Sequence, residues 1–236
     1  MTCPIPARIF QPQVPVQGGG TFPVARILCI GRNYAAHAQE MGDHSRKPPF
    51  HFTKSPTALL TGTGELYMPY PPCTDDLHHE VELVVAIGNG GSRISASAAS
   101  GHVCGYAVGL DMTRRDLQAE AKKTGRPWAA AKDFDAAAIC GPLHAGAACP
   151  PPESQITLTV NAQPRQQGHI ADMIWSVPEL IAELSQLMRL HAGDLIYTGT
   201  PSGVGAVLPG DTLVATLSSI PPLVVHISPG TRPMLA

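Results

Sequence analysis

The 236-residue sequence predicts an α+β fold that is mostly β, a sandwich or roll of short strands with a few short helices. Apolar, β-branched runs of strand length recur along the chain and are separated by turn residues. Proline and glycine, with 24 and 23 residues, supply those turns and leave little room for long helices. Many short strands with few helices are typical of a sandwich or roll.

The length fits one domain, and we expect a short N-terminal segment over residues 1–24 and a main domain over residues 25–236. The net charge of −2 gives no electrostatic reason to expect a nucleic-acid or membrane partner. The six cysteines are scattered without a C-x-x-C pair, which argues against zinc and for free thiols. No apolar run approaches the roughly 18 residues of a membrane span, and residues 1–8 lack a signal-peptide core, so a cytoplasmic location is expected.

The first half of the chain is predicted to hold an edge strand near residues 14–16 and a short helix over residues 34–41 that ends at Gly42. The polar, proline-rich loop at residues 43–49 is expected to be mobile, and its place beside His37 suits a lid. A second short helix is expected over residues 95–100. The remaining apolar runs are predicted as strands, at residues 26–30, 50–54, 58–60, 80–87 and 102–111, and residues 65–72 are predicted as a strand followed by a turn.

The second half is predicted to hold two longer helices. One covers residues 113–123 and stops at Thr124-Gly125. The other begins at Ser176, whose spacing to Glu179 forms a capping box ahead of apolar residues with helical spacing. Strands are predicted at residues 156–160, 195–197, 212–217 and 223–227.

Two carboxylates stand at the head of the strongest predicted strand, in the run His79-Glu80-Val81-Glu82-Leu83-Val84-Val85. Residues i and i+2 of a strand share a face, so Glu80 and Glu82 are predicted to point the same way. Their side chains are either solvated or buried. The residues that follow are apolar on both faces of the strand, which favours burial. Two buried like charges need a cation. With Asp111, at the end of another strand, they form a candidate site for Mg²⁺, Mn²⁺ or Ca²⁺.

Four further residues, in two pairs, carry imidazole or carboxylate chemistry. His78 and His79 directly precede the acids, either as ligands or as structural residues of a loop. His37 and Glu40 are spaced i, i+3, so on a helix they face the same side. A carboxylate that orients a histidine makes a general base, although ordinary surface pairs have the same spacing.

Polar and basic candidates follow Asp111. Arg115 and Gln118 are three residues apart on a predicted helix and are candidates to bind an anionic substrate. Lys132 follows an Ala-Ala-Ala run, surroundings more typical of a lysine in a site than of a solvated one. A glycine-rich loop at residues 198–205, which includes Thr200, is either a plain turn or a cradle of backbone N–H groups for a carboxylate or phosphate.

Five motifs carry a resemblance to a known family. They are Gly31-Arg32-Asn33-Tyr34 with His37 and Glu40, His79-Glu80-Val81-Glu82, Gly109-Leu110-Asp111-Met112-Thr113, Lys132-Asp133-Phe134-Asp135 and Thr198-Gly199-Thr200-Pro201. In this order they resemble the fumarylacetoacetate hydrolase family, over residues 25–228. Residues 114–128 resemble its bacterial fumarylpyruvate and acylpyruvate hydrolases. One departure is Lys54-Ser55-Pro56, where relatives usually read Lys-Pro.

The resemblance implies a mixed β-roll, a homodimer, and Mg²⁺ or Mn²⁺ held by Glu80, Glu82 and Asp111. It implies that His37 and Glu40 activate a water molecule. It also implies that Lys132 is catalytic and lies near the metal. The residues implied to bind the substrate are Arg32, Asn33, Tyr34, Arg115, Gln118 and Thr200.

The activity implied by the resemblance is hydrolysis of the C–C bond of a 2,4-diketo acid, an acylpyruvate. Fumarylpyruvate, cleaved to fumarate and pyruvate in the breakdown of aromatic compounds, is the best single substrate. An alternative keeps the metal but changes the reaction, to oxaloacetate decarboxylation or to isomerisation or decarboxylation of a dienedioate. A third hypothesis is a β-domain that only binds a metal or a small acid.

Overall fold

A computed structural model describes residues 11–35, 47–146, 149–218 and 220–230. Within them the chain is mostly β, as predicted. The strands in chain order are β1 (Gln13–Pro15), β2 (Thr21–Pro23), β3 (Arg26–Gly31), β4 (Phe50–Lys54), β5 (Leu59–Thr61), β6 (Leu66–Pro69), β7 (Leu77–His79), β8 (Val81–Ile87), β9 (Val103–Asp111), β10 (Thr113–Arg114), β11 (Ala138–Cys140), β12 (His144–Ala145), β13 (Gln155–Val160), β14 (Gln163–His169), β15 (Asp194–Tyr197), β16 (Gly205–Val207), β17 (Thr212–Leu217) and β18 (Ile220–Ser228). The α-helices are α1 (Arg115–Thr124), α2 (Ala129–Lys132) and α3 (Val177–Leu187), and short 3-10 helices cover Pro56–Ala58, Ala96–His102 and Ile170–Asp172.

The largest sheet is mixed and has the order β4-β3-β15-β8-β9-β11-β5, with β12 also paired to β9. Its central strands β8 and β9 are antiparallel, with Val81 opposite Leu110 and Glu82 opposite Gly109. The start of β8 therefore lies beside the end of β9. This pairing is what brings the acids at those two strand ends to one place.

A second sheet of five strands has the order β14-β13-β17-β18-β6 and contributes its apolar face to the main core. From the large sheet, Leu83 and Val85 of β8 belong to that core, together with the apolar face of α3. Val84 and Ala86 belong to a separate buried cluster on the opposite face of the large sheet. Strand β8 is thus covered on both sides, as its continuous apolar sequence predicts.

Two smaller sheets complete the described fold: β10-β7-β16, and the pair β1-β2 near the N-terminus. Val14 of β1 and Val24 are buried in the same cluster as Ile27 of β3, so β1 packs directly onto the large sheet. The division of the chain at residues 24 and 25 stays a prediction. None of the described helices combines the length and the apolar character needed to cross a bilayer.

The structure differs from the sequence-based elements in several places. The predicted helix over residues 113–123 begins two residues later, after β10, and ends as predicted at Gly125, which has a left-handed φ of 66°. The predicted strand at residues 58–60 begins as a 3-10 helix before β5. Strand β14 was not predicted, because its sequence QPRQQGH is polar and alternates only in burial. The predicted helix at 34–41 and most of the loop at 43–49 lie outside the described residues.

Candidate active site

Glu80, Glu82 and Asp111 each offer a carboxylate oxygen, and these three oxygens lie within 4.8 Å of one another. All three residues are buried, so the interpretation that they are solvated is wrong. Glu80 falls in the break between β7 and β8, yet its carbonyl accepts a hydrogen bond from the Asp111 backbone N–H at 2.9 Å. This bond extends the β8–β9 pairing by one step and holds Glu80 beside the other two acids.

Glu82 is the acid whose environment most clearly calls for a cation. Within the described part of the chain it forms no ion pair, and its Oε2 accepts a hydrogen bond from the Gly199 backbone N–H at 2.7 Å. Burial raises its pKa well above the ordinary value, and the charges of Asp111 and Glu80 raise it further. A divalent ion shared by the three carboxylates would remove this penalty, and oxygen ligands of this kind suit Mg²⁺ or Mn²⁺. The residues present therefore fit a metal.

The other two acids already contact basic side chains. Lys132 Nζ donates to Glu80 Oε2 at 2.9 Å and to Asp111 Oδ2 at 2.8 Å. Arg115 Nη2 donates to Glu80 Oε1 at 2.6 Å. Burial alone would lower the pKa of Lys132, but Asp111 and Glu80 raise it above its ordinary value, so the lysine is held as a cation. Lys132 was predicted to stand near the metal site, and the structure places it there.

Lys54 is a site residue that the sequence analysis did not identify. Its fully buried Nζ lies 2.8 Å from Asp111 Oδ1 and donates to the backbone carbonyls of Met112 and Lys132. The following residue, Ser55, donates from its backbone N–H and hydroxyl to Asp133 at 2.8 and 2.7 Å. The sequence departure at Ser55 therefore ties the end of β4 to the segment after Lys132. The available signal was a lysine at the end of a predicted strand, at the place where relatives usually read Lys-Pro.

Arg115 and Gln118 share a face of α1, as predicted. Arg115 Nη1 donates to Gln118 Oε1 at 2.5 Å, which orients the buried Gln118 amide. Since the oxygen faces the arginine, the Gln118 NH₂ group is left to face the cavity, and no described group accepts a hydrogen bond from it. Both side chains line the pocket beside the acids. They are placed to donate hydrogen bonds to an anion.

The pocket has a polar inner end and an aromatic, cationic outer end. The predicted residues that line it are Arg32, Arg115, Gln118, Lys132, Thr200 and the three acids. Sequence analysis missed its aromatic wall, in which Trp128 contacts Phe50 and Phe52 with ring centroids 5.7 and 6.0 Å apart. Lys122 Nζ lies 5.2 Å from the centroid of the Trp128 ring. The helix α1 thus presents a further cation to the outer pocket.

The Gly31-Arg32-Asn33-Tyr34 motif divides between the pocket and the protein interior. Arg32, with a left-handed φ of 57°, lines the pocket. Asn33 is buried, and its amide donates to the carbonyls of Thr198 and Trp175 and accepts from the Trp175 N–H, at 2.8 to 2.9 Å. Tyr34 is also buried, and burial raises the pKa of its hydroxyl. Neither Asn33 nor Tyr34 lines the pocket, so their roles as substrate-binding residues stay predictions.

The glycine-rich loop is bonded directly to the acid strand. Thr198 donates from its N–H and its hydroxyl to the carbonyl of Leu83, at 3.1 and 3.0 Å. Gly199 has a φ of 96°, and a Cβ there would lie 2.7 Å from the Asn33 side chain, so glycine is required. These bonds leave Thr200 lining the pocket. The loop is therefore part of the site and not a plain turn.

The three candidate histidines fall into two groups. His37 and Glu40 lie outside the described residues, and their catalytic role stays a prediction. His78 Nε2 lies 2.8 Å from Asp76 Oδ1, and His79 Nδ1 lies 2.8 Å from Gln166 Oε1. Neither histidine belongs to the carboxylate cluster found among the described residues. The structural interpretation of this pair is therefore favoured over direct metal ligation.

A family profile described as fumarylacetoacetate (FAA) hydrolase, C-terminal, matches residues 26–228. The chain, with its β-rich fold and buried acids, belongs to the fumarylacetoacetate hydrolase family. It is 42% identical over 187 residues to the fumarylpyruvate hydrolase of Ralstonia sp, covering 79% of this chain and 96% of the relative. It is 40% identical over 210 residues to a mitochondrial oxaloacetate tautomerase of Arabidopsis thaliana, covering 89% and 93% of the two chains.

A solved structure supports the same relationship. The crystal structure of fumarylpyruvate hydrolase from Pseudomonas aeruginosa in complex with Mn²⁺ and pyruvate matches with a TM-score of 0.90 and 42% identity. The match covers 96% of this chain and 100% of that one. The mixed β-roll expected from the motifs is thereby confirmed.

Proposed function

We propose that this protein is a divalent-metal-dependent hydrolase that cleaves the C–C bond of an acylpyruvate, with fumarylpyruvate as its preferred substrate. The observation that carries the proposal is the cluster of three buried carboxylates at one end of a cation-lined pocket. The similarity to a fumarylpyruvate hydrolase crystallised with Mn²⁺ and pyruvate supports the same substrate class.

Glu80, Glu82 and Asp111 would hold Mg²⁺ or Mn²⁺. The bound ion would act as a Lewis acid that draws electron density from the oxygens of a 2-oxo acid. Lys132, a buried cation in contact with two of the acids, adds positive charge at the same place. Arg115, Lys132 and Lys54 together carry as much positive charge as the three acids carry negative charge, although they contact only Glu80 and Asp111. A divalent ion would therefore give the inner pocket a net positive charge. An anionic substrate is favoured in such a pocket.

Hydrolysis requires water to bond to the acyl carbonyl carbon. The bond from that carbon to the neighbouring methylene then breaks, and its electron pair leaves with the methylene, which takes a proton to become the methyl group of pyruvate. His37, oriented by Glu40, is proposed to accept the proton of the attacking water. Arg115, Gln118 and Thr200 are proposed to hold the substrate by donating hydrogen bonds to its oxygens.

The outer pocket favours a second carboxylate on the substrate. Lys122 forms none of the ion pairs found within the described residues. Burial lowers its pKa, and the neighbouring charges of Arg115 and Arg32 lower it further, which indicates an excess of positive charge there. The distal carboxylate of fumarylpyruvate would neutralise that excess. A neutral acyl group would not.

Oxaloacetate tautomerisation or decarboxylation is the second candidate. The 40% identity to a mitochondrial oxaloacetate tautomerase favours it. Oxaloacetate is also a short dicarboxylate, and isomerisation or decarboxylation of a dienedioate would use the same metal and pocket. These reactions need no attacking water. Hydrolysis is therefore expected to require His37, whereas these reactions are not.

A steady-state assay with fumarylpyruvate, acetylpyruvate and oxaloacetate tests the proposal. We expect Mn²⁺- or Mg²⁺-dependent release of pyruvate, fastest from fumarylpyruvate and abolished by EDTA. Faster metal-dependent turnover of oxaloacetate would move the assignment to the second candidate. Metal-dependent turnover of none of the three would favour a domain that only binds a metal or small acid.

We also propose an oligomeric state, a metabolic role and a location for the enzyme. The family resemblance supports a homodimer and a role in the breakdown of aromatic compounds. A cytoplasmic location is supported by the described cysteines, which are free thiols at Cys29, Cys73, Cys104, Cys140 and Cys149, as expected in a reducing compartment. Sedimentation of the purified protein as a single species of one-chain mass would contradict the dimer.

A further inference from the structure

Gln166, on the unpredicted strand β14, lies behind Thr200 and is 2% exposed. Its side-chain amide uses all four of its hydrogen-bonding positions. Gln166 Oε1 accepts from the Val81 backbone N–H at 3.0 Å and lies 2.8 Å from His79 Nδ1. Gln166 Nε2 donates to Thr200 Oγ1 at 2.8 Å and to the Pro201 carbonyl at 2.9 Å.

Two backbone groups fix the orientation of this amide. The Val81 N–H can only donate, so it must face the amide oxygen, and the Pro201 carbonyl can only accept, so it must face the NH₂ group. If the amide were flipped, its NH₂ group would face the Val81 N–H, and its oxygen would face the Pro201 carbonyl oxygen. The assignment of oxygen and nitrogen in Gln166 therefore follows from its neighbours.

The orientation of Gln166 decides how the Thr200 hydroxyl is used. Since Gln166 donates, Thr200 Oγ1 is the acceptor in this contact, and the hydroxyl proton has to point elsewhere. No group in the described part of the chain accepts a hydrogen bond from that hydroxyl. Thr200 lines the pocket, so its proton is available to an acceptor there.

We propose that Gln166 is a positioning residue that turns Thr200 into an obligate hydrogen-bond donor toward the carboxylate of a 2-oxo acid in the pocket. The inference rests on the proposed function, because it takes the ligand to be a pyruvate-like acid. A hydroxyl that is free to rotate would point its oxygen lone pairs at the ligand part of the time. A carboxylate has no proton to donate, so it cannot form a hydrogen bond with the hydroxyl in that orientation. Gln166 removes that alternative.

The Gln166 amide also fixes the distance between the three acids and the Thr200 hydroxyl. Val81 stands between Glu80 and Glu82, and Thr200 follows Gly199, whose N–H binds Glu82. Gln166 therefore joins the strand that carries the proposed metal ligands to the loop that carries the hydroxyl. Metal and carboxylate donor keep a constant spacing, which a ligand that touches both requires.

The variant that tests the inference is Gln166→Glu, which has nearly the same shape. Its carboxylate keeps an acceptor for Val81 and His79 but places a second acceptor against Thr200, so the hydroxyl proton turns away from the pocket. Gln167→Glu is the matched control, because it makes the same chemical change at the exposed neighbouring position on β14. Thr200→Val removes the donor, and Thr200→Ser keeps it.

The measurement is calorimetric titration of each Mn²⁺-loaded protein with pyruvate, together with its Mn²⁺ affinity and thermal midpoint. We expect Gln166→Glu and Thr200→Val each to weaken pyruvate binding about ten- to a hundred-fold, the usual effect of losing a hydrogen bond to a charged group. In the double variant the two losses should not add. Mn²⁺ affinity should not fall, and Thr200→Ser and Gln167→Glu should bind pyruvate like the wild type.

Each outcome decides a separate question. If the wild-type Mn²⁺ protein does not bind pyruvate, the proposed function fails. If the wild type binds and a folded Gln166→Glu variant binds equally well, or if its loss adds fully to that of Thr200→Val, the role of Gln166 is overturned. Should Gln166→Glu fail to fold, a neutron structure of the wild type decides the question. A deuterium atom bonded to Thr200 Oγ1 and directed at Gln166 would show that the threonine donates in this contact, and this would contradict the inference.

Discussion

Asp111 lies between two lysines, with Lys54 Nζ 2.8 Å from its Oδ1 and Lys132 Nζ 2.8 Å from its Oδ2. Both lysines are buried, so the contacts are not exposed to the screening that weakens surface ion pairs. Removing one partner of a buried ion pair is costly, because the remaining charge is left without compensation. Asp111 therefore couples the stability of the fold to the charge of the site.

We predict that Lys54→Met lowers the free energy of unfolding in EDTA by about 3 kcal/mol, the cost typical of breaking a buried ion pair. A metal at Asp111 would replace the lost charge. Mn²⁺ should therefore stabilise the variant by more than it stabilises the wild type, as measured by urea denaturation with and without Mn²⁺. Lys123→Met, on the exposed side of α1, is the control. Equal stabilisation of both proteins by Mn²⁺ would contradict this account of Lys54.

The second prediction concerns pH in the absence of metal. The folded protein holds the pKa of Glu82 well above its ordinary value of 4.5, first through burial and then through Asp111 and Glu80. Above that ordinary value the folded state binds more protons at this group than the unfolded state. Its contribution to stability is therefore lost as the pH rises.

In EDTA we expect the unfolding free energy of the wild type, relative to Glu82→Gln, to fall as the pH is raised from about 4.5. The variant should be the more stable protein at neutral pH without metal, and it should bind Mn²⁺ much more weakly. Urea denaturation across pH, with calorimetry for the metal, measures both effects. A difference between the two proteins that does not change with pH would contradict the position of Glu82.

A third prediction concerns the outer pocket. Lys122→Gln removes the cation beside Trp128 and leaves a shorter, neutral polar side chain. We expect kcat/KM for fumarylpyruvate to fall about tenfold or more, the effect of losing a charge-assisted hydrogen bond. The value for acetylpyruvate, which has no distal carboxylate, should change little. Lys123→Gln is the matched control, and an equal loss for both substrates would refute a distal-carboxylate site.

The fourth prediction separates the two candidate reactions. His37→Ala should reduce fumarylpyruvate hydrolysis by a factor of about a hundred or more, the usual contribution of a general base. Decarboxylation of oxaloacetate, if the protein catalyses it, should survive because no water attacks. The same preparation is assayed for both reactions by following pyruvate release. Undiminished fumarylpyruvate cleavage in the variant would remove His37 from water activation.

Much of this site follows from spacing within single elements. The i, i+2 spacing predicted that Glu80 and Glu82 point the same way, and the i, i+3 spacing predicted that Arg115 and Gln118 meet. The capping box before α3 was also predicted, and Ser176 donates to Glu179 from both its backbone N–H and its hydroxyl. Such predictions succeed because the geometry of a strand or a helix turn is local and regular.

The roles of Lys54 and Gln166 were not predicted, because they depend on partners that are far away in the chain. A lysine at the end of β4 is unremarkable until the folded sheet sets it against Asp111, and β14 has no apolar alternation by which to recognise it as a strand. Spacing along the chain was enough to name the carboxylates and to indicate a metal. The pairing of β8 with β9 and the packing of β14 behind Thr200 were needed to reveal which cations and which amide complete the site, because hydrogen bonds between distant segments exist only once the chain has folded.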